Sequence, residues 1–315
     1  MYIDTHLDTR WALTRQDRSF SIRSSIGHID LDRARDANLL CGFFTGYPTE
    51  SQYSTESMLK DWIIMTNDPN NHFIRINQYQ DLEKHLNLLK TGSTDKIGSV
   101  LHFEGAAGID TELNRLYIYY DLGLRSLGVT WNDTNQFATG VPGPIERGFT
   151  KEGLDLLDAL NSLGIMVDVS HLNDTSFWDV INHSTGPVFA SHSNLRKYAD
   201  DPRNLTDEMV IAISDTGGSI GINLCKGFLS TDQAKHPANM GCAVSMIKEV
   251  IGLTSINSVH IGTDMDGCTL SDDLLDITSM PTFFTKVRND LDLSESEITK
   301  IKRENIMRIM KVCWN

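Results

Sequence analysis

The fold class this sequence predicts is α/β, a TIM-like (β/α)8 barrel. Three observations predict it. Short apolar, β-branched runs alternate with amphipathic segments eight times along 315 residues. Two such runs, IMVDVS and PVFAS, end on His171 and His192 with a helix-like segment between them, the form of a βαβ unit whose parallel strands bring both ends to one edge. No G-x-G-x-x-G follows the first run, as a doubly wound dinucleotide-binding sheet would require.

In chain order, the predicted strands are Tyr2–Thr5, Leu39–Phe44, Ser99–Phe103, Leu124–Thr130, Ile165–Ser170, Val188–Ser191, Ser219–Leu224 and Val259–Thr263. Helices are predicted between them over Ser54–Thr66, Gln78–Leu89, Glu112–Leu122, Lys151–Leu163, Asp207–Thr216 and Met240–Ile251. The segment DTSFWDVINH carries an apolar stripe at Phe177, Val180 and Ile181, which suits a helix lying on a sheet. A last helix opens with a capping box from Ser294 to Glu297, followed by apolar residues at helical spacing. No repeat, low-complexity tract or flexible linker divides the chain, so one barrel domain over 1–315 with a C-terminal helix is expected.

Composition narrows the function. A net charge of −14 opposes nucleic-acid binding, which needs a basic surface to neutralise phosphates. No window reaches the roughly 18 continuous apolar residues of a membrane span, and MYIDTHLDT lacks the basic and apolar regions of a secretory leader. A cytoplasmic location without membrane attachment is expected. The cysteines Cys41, Cys225, Cys242, Cys268 and Cys313 are odd in number and form no C-x-x-C pair, which points to reduced thiols rather than a disulfide frame or zinc knot.

In a barrel, chemistry sits at the C-terminal strand ends. The first strand ends in D-T-H-L-D, so His6 and Asp8, two residues apart, point the same way and can reach one cation. Asp4 shares their parity and is read as support. The third strand ends at Glu104, a carboxylate able to offer one oxygen to each of two ions, followed by a glycine. His102, two residues earlier, is read as core or surface. The last strand delivers Asp264, then Asp266 and Gly267 in the turn, and an aspartate there can take a proton from water and return it to a leaving amine. His260 reads as structural, at the opposite end of that strand, and His28, His72, His85, His183 and His236 as solvated. Each site residue alone is compatible with a capping or salt-bridged role. Together, three histidines and three carboxylates at matching strand ends suit two zinc-like ions sharing Glu104. Such a pair supplies a bridging hydroxide at neutral pH and polarises a carbonyl.

The segments DTHLDT, HFEG, LGVTWNDTNQFATG, GFTKEGLDLLDALNSLGIMVDVSHL, PVFASHSNLR, PRNLTDE and IGTDMDG resemble the membrane dipeptidase family, also called renal dipeptidases, along the whole chain. The resemblance implies a dinuclear zinc hydrolase on a TIM-like barrel. It implies that His6 and Asp8 bind one zinc, His171 and His192 the other, with Glu104 bridging and Asp264 transferring the proton. It implies that Arg203 faces the substrate carboxylate, a use suited to a planar fork, and that the protein is a homodimer. One departure stands out. Family members with established activity have a histidine in an L-T-H-N-like motif, where this chain has V-T-W-N with Trp131. Trp131 offers an aromatic wall and an indole N–H but accepts no proton. With Gly267, it is read as lining the substrate pocket.

The expected function is therefore hydrolysis of a dipeptide-like substrate at two zinc ions, with manganese or cobalt as possible substitutes. The alternative, motivated by Trp131, is an amidase for an N-acyl or D-amino-acid conjugate or a biosynthetic intermediate. A non-catalytic metal-binding relative is the third reading.

Overall fold

The computed structural model describes residues 1–231 and 237–314. Eight parallel strands form a nearly closed barrel: β1 (Tyr2–Leu7), β2 (Leu39–Gly46), then, after the additional strand β3 (Phe73–Arg75), β4 (Ile97–Glu104), β5 (Leu124–Gly128), β6 (Met166–Asp168), β7 (Val188–Ala190), β8 (Ser219–Ile222) and β9 (Val259–Ile261). β3 pairs with β4 off the barrel path. It is three residues long and is not among the predicted strands. The seam between β1 and β9 is held beyond the regular ladder. The N–H of Asp264 donates to the His6 carbonyl at 3.2 Å, and that of Asp8 to the Met265 carbonyl at 3.0 Å. The same bonds carry the chain ends of both strands to one mouth.

Strands in such a barrel are covered on both faces, so they read as apolar runs rather than alternating ones. β2 and β4 are buried at every position. Outside, the sheet packs on the surrounding helices through one large apolar cluster that includes Leu7, Phe44, Leu101, Phe103, Leu127 and Ile220. Inside, Ile3, Cys41, Phe43, Val100, Met166 and Phe189 fill the lower barrel and meet Ile306, Ile309 and Met310 of the C-terminal helix. That helix has its predicted capping box, Ser294 with Glu297, and continues through a π-helical turn over Lys300–Glu304 into Asn305–Cys313.

Above the apolar plug, the barrel interior turns polar. His102 Nδ1 is 3.0 Å from Ser126 Oγ, and its Nε2 is 3.5 Å from Asp168 Oδ2. His260 lies between Ser219 Oγ at 2.7 Å and Thr5 Oγ1 at 3.1 Å. It is a structural residue as expected, but inside the barrel and fully buried. Burial drives both imidazoles down to about 3, so they stay neutral and serve as hydrogen-bonding spacers. His85 departs from expectation. It is buried on the helix Tyr79–Lys90 and reaches the Leu40 carbonyl at 3.2 Å. His236 lies outside the described residues.

Candidate metal centre

Each predicted ligand leaves the barrel at a strand end. His6 lies in β1, with Asp8 just past it; Glu104 closes β4; His171 and His192 follow β6 and β7; and Asp264 follows β9. β1, β2 and β4 run one or two residues past their predicted ends, whereas β5 to β9 stop short of theirs, and after β6 and β9 the chain turns sharply. His171, Asp264 and Asp266 have φ values of 69°, 61° and 69°, the left-handed region that non-glycine residues rarely adopt. Holding a residue there costs roughly 1–3 kcal/mol, and such strain gathers at functional sites. Here it re-aims the His171 and Asp264 side chains across the barrel mouth.

The side chains converge. Glu104 Oε1 lies 2.9 Å from His171 Nε2, 3.4 Å from His6 Nε2 and 3.6 Å from His192 Nε2. Asp8 Oδ2 is 3.4 Å from His6 Nε2. Ligand atoms of His6, Glu104 and His192 lie within 4.8 Å of one another, as do those of His6, Asp8 and Asp264. All six residues are buried.

Their second nitrogens decide which tautomers face the centre. Asp168 accepts from the N–H groups of Ser170 at 3.0 Å and Ser191 at 2.7 Å, and from Ser191 Oγ at 2.6 Å. With its proton so committed, Ser191 Oγ accepts from His192 Nδ1 at 2.7 Å. Asn132 Oδ1 accepts from His171 Nδ1 at 2.8 Å. Both rings then direct an Nε2 lone pair inward, and the two Nε2 atoms lie 3.1 Å apart. Metal–nitrogen distances are about 2.0–2.1 Å, so two nitrogens at that spacing can share one ion. His6 Nε2 and Asp8 Oδ1 are buried without a hydrogen-bond partner. Orphaned buried acceptors next to carboxylates are costly unless a cation completes them. The donor set fits divalent ions.

Electrostatics agree. Burial lowers His6 to about 4 and carries His171 and His192 well below their ordinary value, so all three imidazoles are neutral at pH 7. Burial raises Asp8 to about 7 and Asp264 to about 6, and pushes Glu104 well above the carboxylate range. At pH 7 Glu104, and in part Asp8, hold protons that a metal ion would displace.

A cavity of about 360 Å³ opens over the cluster, lined by Asp8, Glu104, His171, His192 and Asp264 and walled by Trp11, Tyr47, Trp131 and Phe228. The Trp131 and Tyr47 ring centroids are 5.1 Å apart, and those of Trp131 and His171 are 6.2 Å apart. Gly267 also lines the cavity, and its residue type is set by close approach. A Cβ there would stand 2.0 Å from Asp8 Oδ2 and 2.6 Å from Asp264 Oδ1.

Arg203 does not itself line this cavity but touches two residues that do, His192 and Phe228. It is buried, with Nη2 2.7 Å from His192 Nε2 and 3.1 Å from the His192 carbonyl, and Nη1 3.3 Å from Ser193 Oγ. Its guanidinium occupies the lone pair that His192 would offer an ion.

Sequence reasoning passed over Asp168, which reads as a lone carboxylate inside an apolar strand. It also passed over Asn223, whose Nδ2 donates to Asp264 Oδ2 at 3.0 Å, and over the meeting of Cys225 with Cys268. Asp4 supports the site as expected: Oδ1 accepts from the N–H groups of His6 and Thr263, and Oδ2 from Thr263 Oγ1 at 2.8 Å.

The family model described as "Membrane dipeptidase (Peptidase family M19)" matches residues 1–313. An uncharacterized protein in the pqqA 5′ region of Klebsiella pneumoniae is 36% identical over 228 residues, 70% of this chain and 84% of that protein. Dipeptidase 3 of Rattus norvegicus is 25% identical over 294 residues, 90% of this chain and 58% of the rat protein. Among solved structures, the dipeptidase AC, a metallopeptidase of family M19, matches with a TM-score of 0.89 at 26% identity, covering 99% of this chain and 98% of that one. A metallopeptidase from Rhodobacter sphaeroides, liganded with a phosphinate mimic of the dipeptide L-Ala-D-Ala, matches with a TM-score of 0.88 at 24% identity, with 99% of each chain covered.

Proposed function

The chain belongs to the membrane dipeptidase family, peptidase family M19, and is a hydrolase acting on dipeptides; from that premise, we propose that it cleaves dipeptide-like substrates at two zinc ions. The single observation that carries the proposal is the convergence of three neutral imidazoles on Glu104 and Asp8, with His6 Nε2 and Asp8 Oδ1 left as buried orphans. His6 with Asp8, and His171 with His192, would hold the two ions, with Glu104 shared. When bound, the ions supply Lewis-acid chemistry, acidifying water and polarising the scissile carbonyl.

The chain's own residues supply the rest. Asp264, raised to about 6 by burial and fixed by Asn223, changes protonation near neutrality. It is the general base toward the attacking water and then the acid toward the departing amine. The aromatic wall excludes water and receives apolar side chains. Arg203 would hold the free carboxylate of the substrate in a bidentate pair. That role requires the guanidinium to leave His192 Nε2, and the same movement frees the nitrogen for an ion.

Trp131 favours a second reading on the same chemistry. Where a proton-accepting side chain would meet the substrate, this chain places an indole, which suits an amidase for an N-acyl or D-amino-acid conjugate. A panel of L,L-, L,D- and glycine-containing dipeptides, run beside N-acyl amino acids with and without a chelator, separates the readings. Rapid, chelator-sensitive turnover of dipeptides supports the dipeptidase; turnover of acyl conjugates alone supports the amidase.

A homodimer and a cytoplasmic location complete the proposal. No helix among the described residues is long and apolar enough to cross a membrane. Sedimentation and cell fractionation test these two points.

A further inference from the structure

Two thiols line the cavity beside the histidine cluster, and the reaction proposed above uses neither. Cys225 follows β8, and Cys268 lies in the turn after β9, four residues beyond Asp264. An antiparallel bridge between Cys225 and Leu270, and a 2.9 Å bond from the Lys226 N–H to the Thr269 carbonyl, hold the two loops side by side. Both cysteines are free and half-buried. Their sulfurs and a carboxylate oxygen of Asp264 lie within 4.8 Å of one another. Asn223 ties the group together, because its Oδ1 accepts from the Cys225 N–H at 2.6 Å while its Nδ2 donates to Asp264.

We propose that Cys225, Cys268 and Asp264 form a separate cation site at the cavity wall, selective for a thiophilic divalent ion of the zinc class. Two sulfurs and one carboxylate oxygen make three of the four ligands that zinc prefers, and the cavity leaves the fourth position open to water. Soft sulfur distinguishes this site from the nitrogen- and oxygen-rich cluster beside it. Binding replaces the two thiol protons, which pass to solvent as the sulfurs become thiolates. A cation here engages the Asp264 carboxylate, so zinc beyond the loading requirement inhibits turnover. That consequence rests on the role proposed for Asp264; the site itself does not.

The test is a cobalt(II) titration of the full-length protein beside a Cys225→Ser/Cys268→Ser variant. The expected result is a thiolate-to-cobalt charge-transfer absorption in the wild type that is lost in the variant. In the wild type, zinc should also shield two thiols from a thiol–disulfide exchange reagent, and a chelator should restore their reactivity. Absence of the absorption, together with thiol reactivity indifferent to zinc, would overturn the site. Recovery of a Cys225–Cys268 disulfide with no metal-dependent shielding would also overturn it, in favour of redox chemistry. Absorption and shielding without inhibition by excess zinc would uphold the site and refute the role of Asp264 instead.

Discussion

Ser191 Oγ lies 2.7 Å from His192 Nδ1 while donating its own proton to Asp168 at 2.6 Å, and this pair of bonds fixes which nitrogen of His192 faces the candidate metal centre. A carboxylate, a hydroxyl and an imidazole in series leave Nε2 unprotonated and aimed inward. Partners of this kind orient a ligand, and losing one costs about 10–100-fold in metal affinity. Ser191→Ala is expected to weaken zinc binding by about that factor in a competitive chelator titration. Unchanged affinity would mean that the tautomer is set elsewhere.

Asp264→Asn removes the proposed proton carrier and keeps the shape, including an acceptor for Asn223. Turnover should fall by roughly 10²–10⁴, the range of general acid–base catalysis, while metal content stays that of the wild type. A pure protein with wild-type kcat would remove Asp264 from the chemistry.

Metal affinity should depend on pH with a definite sign. The histidines do not compete for protons near neutrality, because burial lowers His6 to about 4 and the other two well below their ordinary value. The carboxyls do compete, since burial raises Asp8 to about 7 and Glu104 well above its usual range. Binding must expel those protons, so affinity falls as pH falls through about 7, by about tenfold per unit for each proton displaced. Calorimetry in buffers of different ionisation enthalpy measures the release. Zinc binding with no proton release at pH 6 would contradict these carboxyl assignments.

Gly267→Ala puts a methyl where Asp8 Oδ2 and Asp264 Oδ1 now stand, at 2.0 and 2.6 Å. Both carboxylates would have to shift to make room. The variant should retain its far-ultraviolet circular dichroism but lose zinc affinity and activity together. Normal zinc binding would show that the turn relaxes freely.

Much of this was legible in the residues. Parallel strands buried on both faces announce themselves as apolar runs, and the helix Lys151–Leu163 lies where its apolar spacing places it. His6, Asp8, Glu104, His171, His192 and Asp264 could be read off because each follows such a run. The left-handed turns at His171 and Asp264 could not be read locally: histidine and aspartate are enriched at positive φ, yet most of them adopt ordinary backbone. Asp168 was hidden by its neighbours, a single carboxylate in VDVS whose partners arrive from the next strand. The meeting of Cys225 and Cys268 depends on two loops packing together, which no local pattern encodes. The position of Arg203 on His192 is likewise a tertiary fact: its motif suggested a substrate contact, and the fold lays it against the His192 imidazole.

The claim at the centre of this account is that Glu104 is shared by two ions. Its most direct measurement is the tightly bound zinc per chain in wild-type protein against Glu104→Gln, with folding of both verified. Sharing predicts that the single substitution removes both ions and abolishes chelator-sensitive dipeptide hydrolysis. A Glu104→Gln protein that keeps its zinc and its turnover would contradict the account.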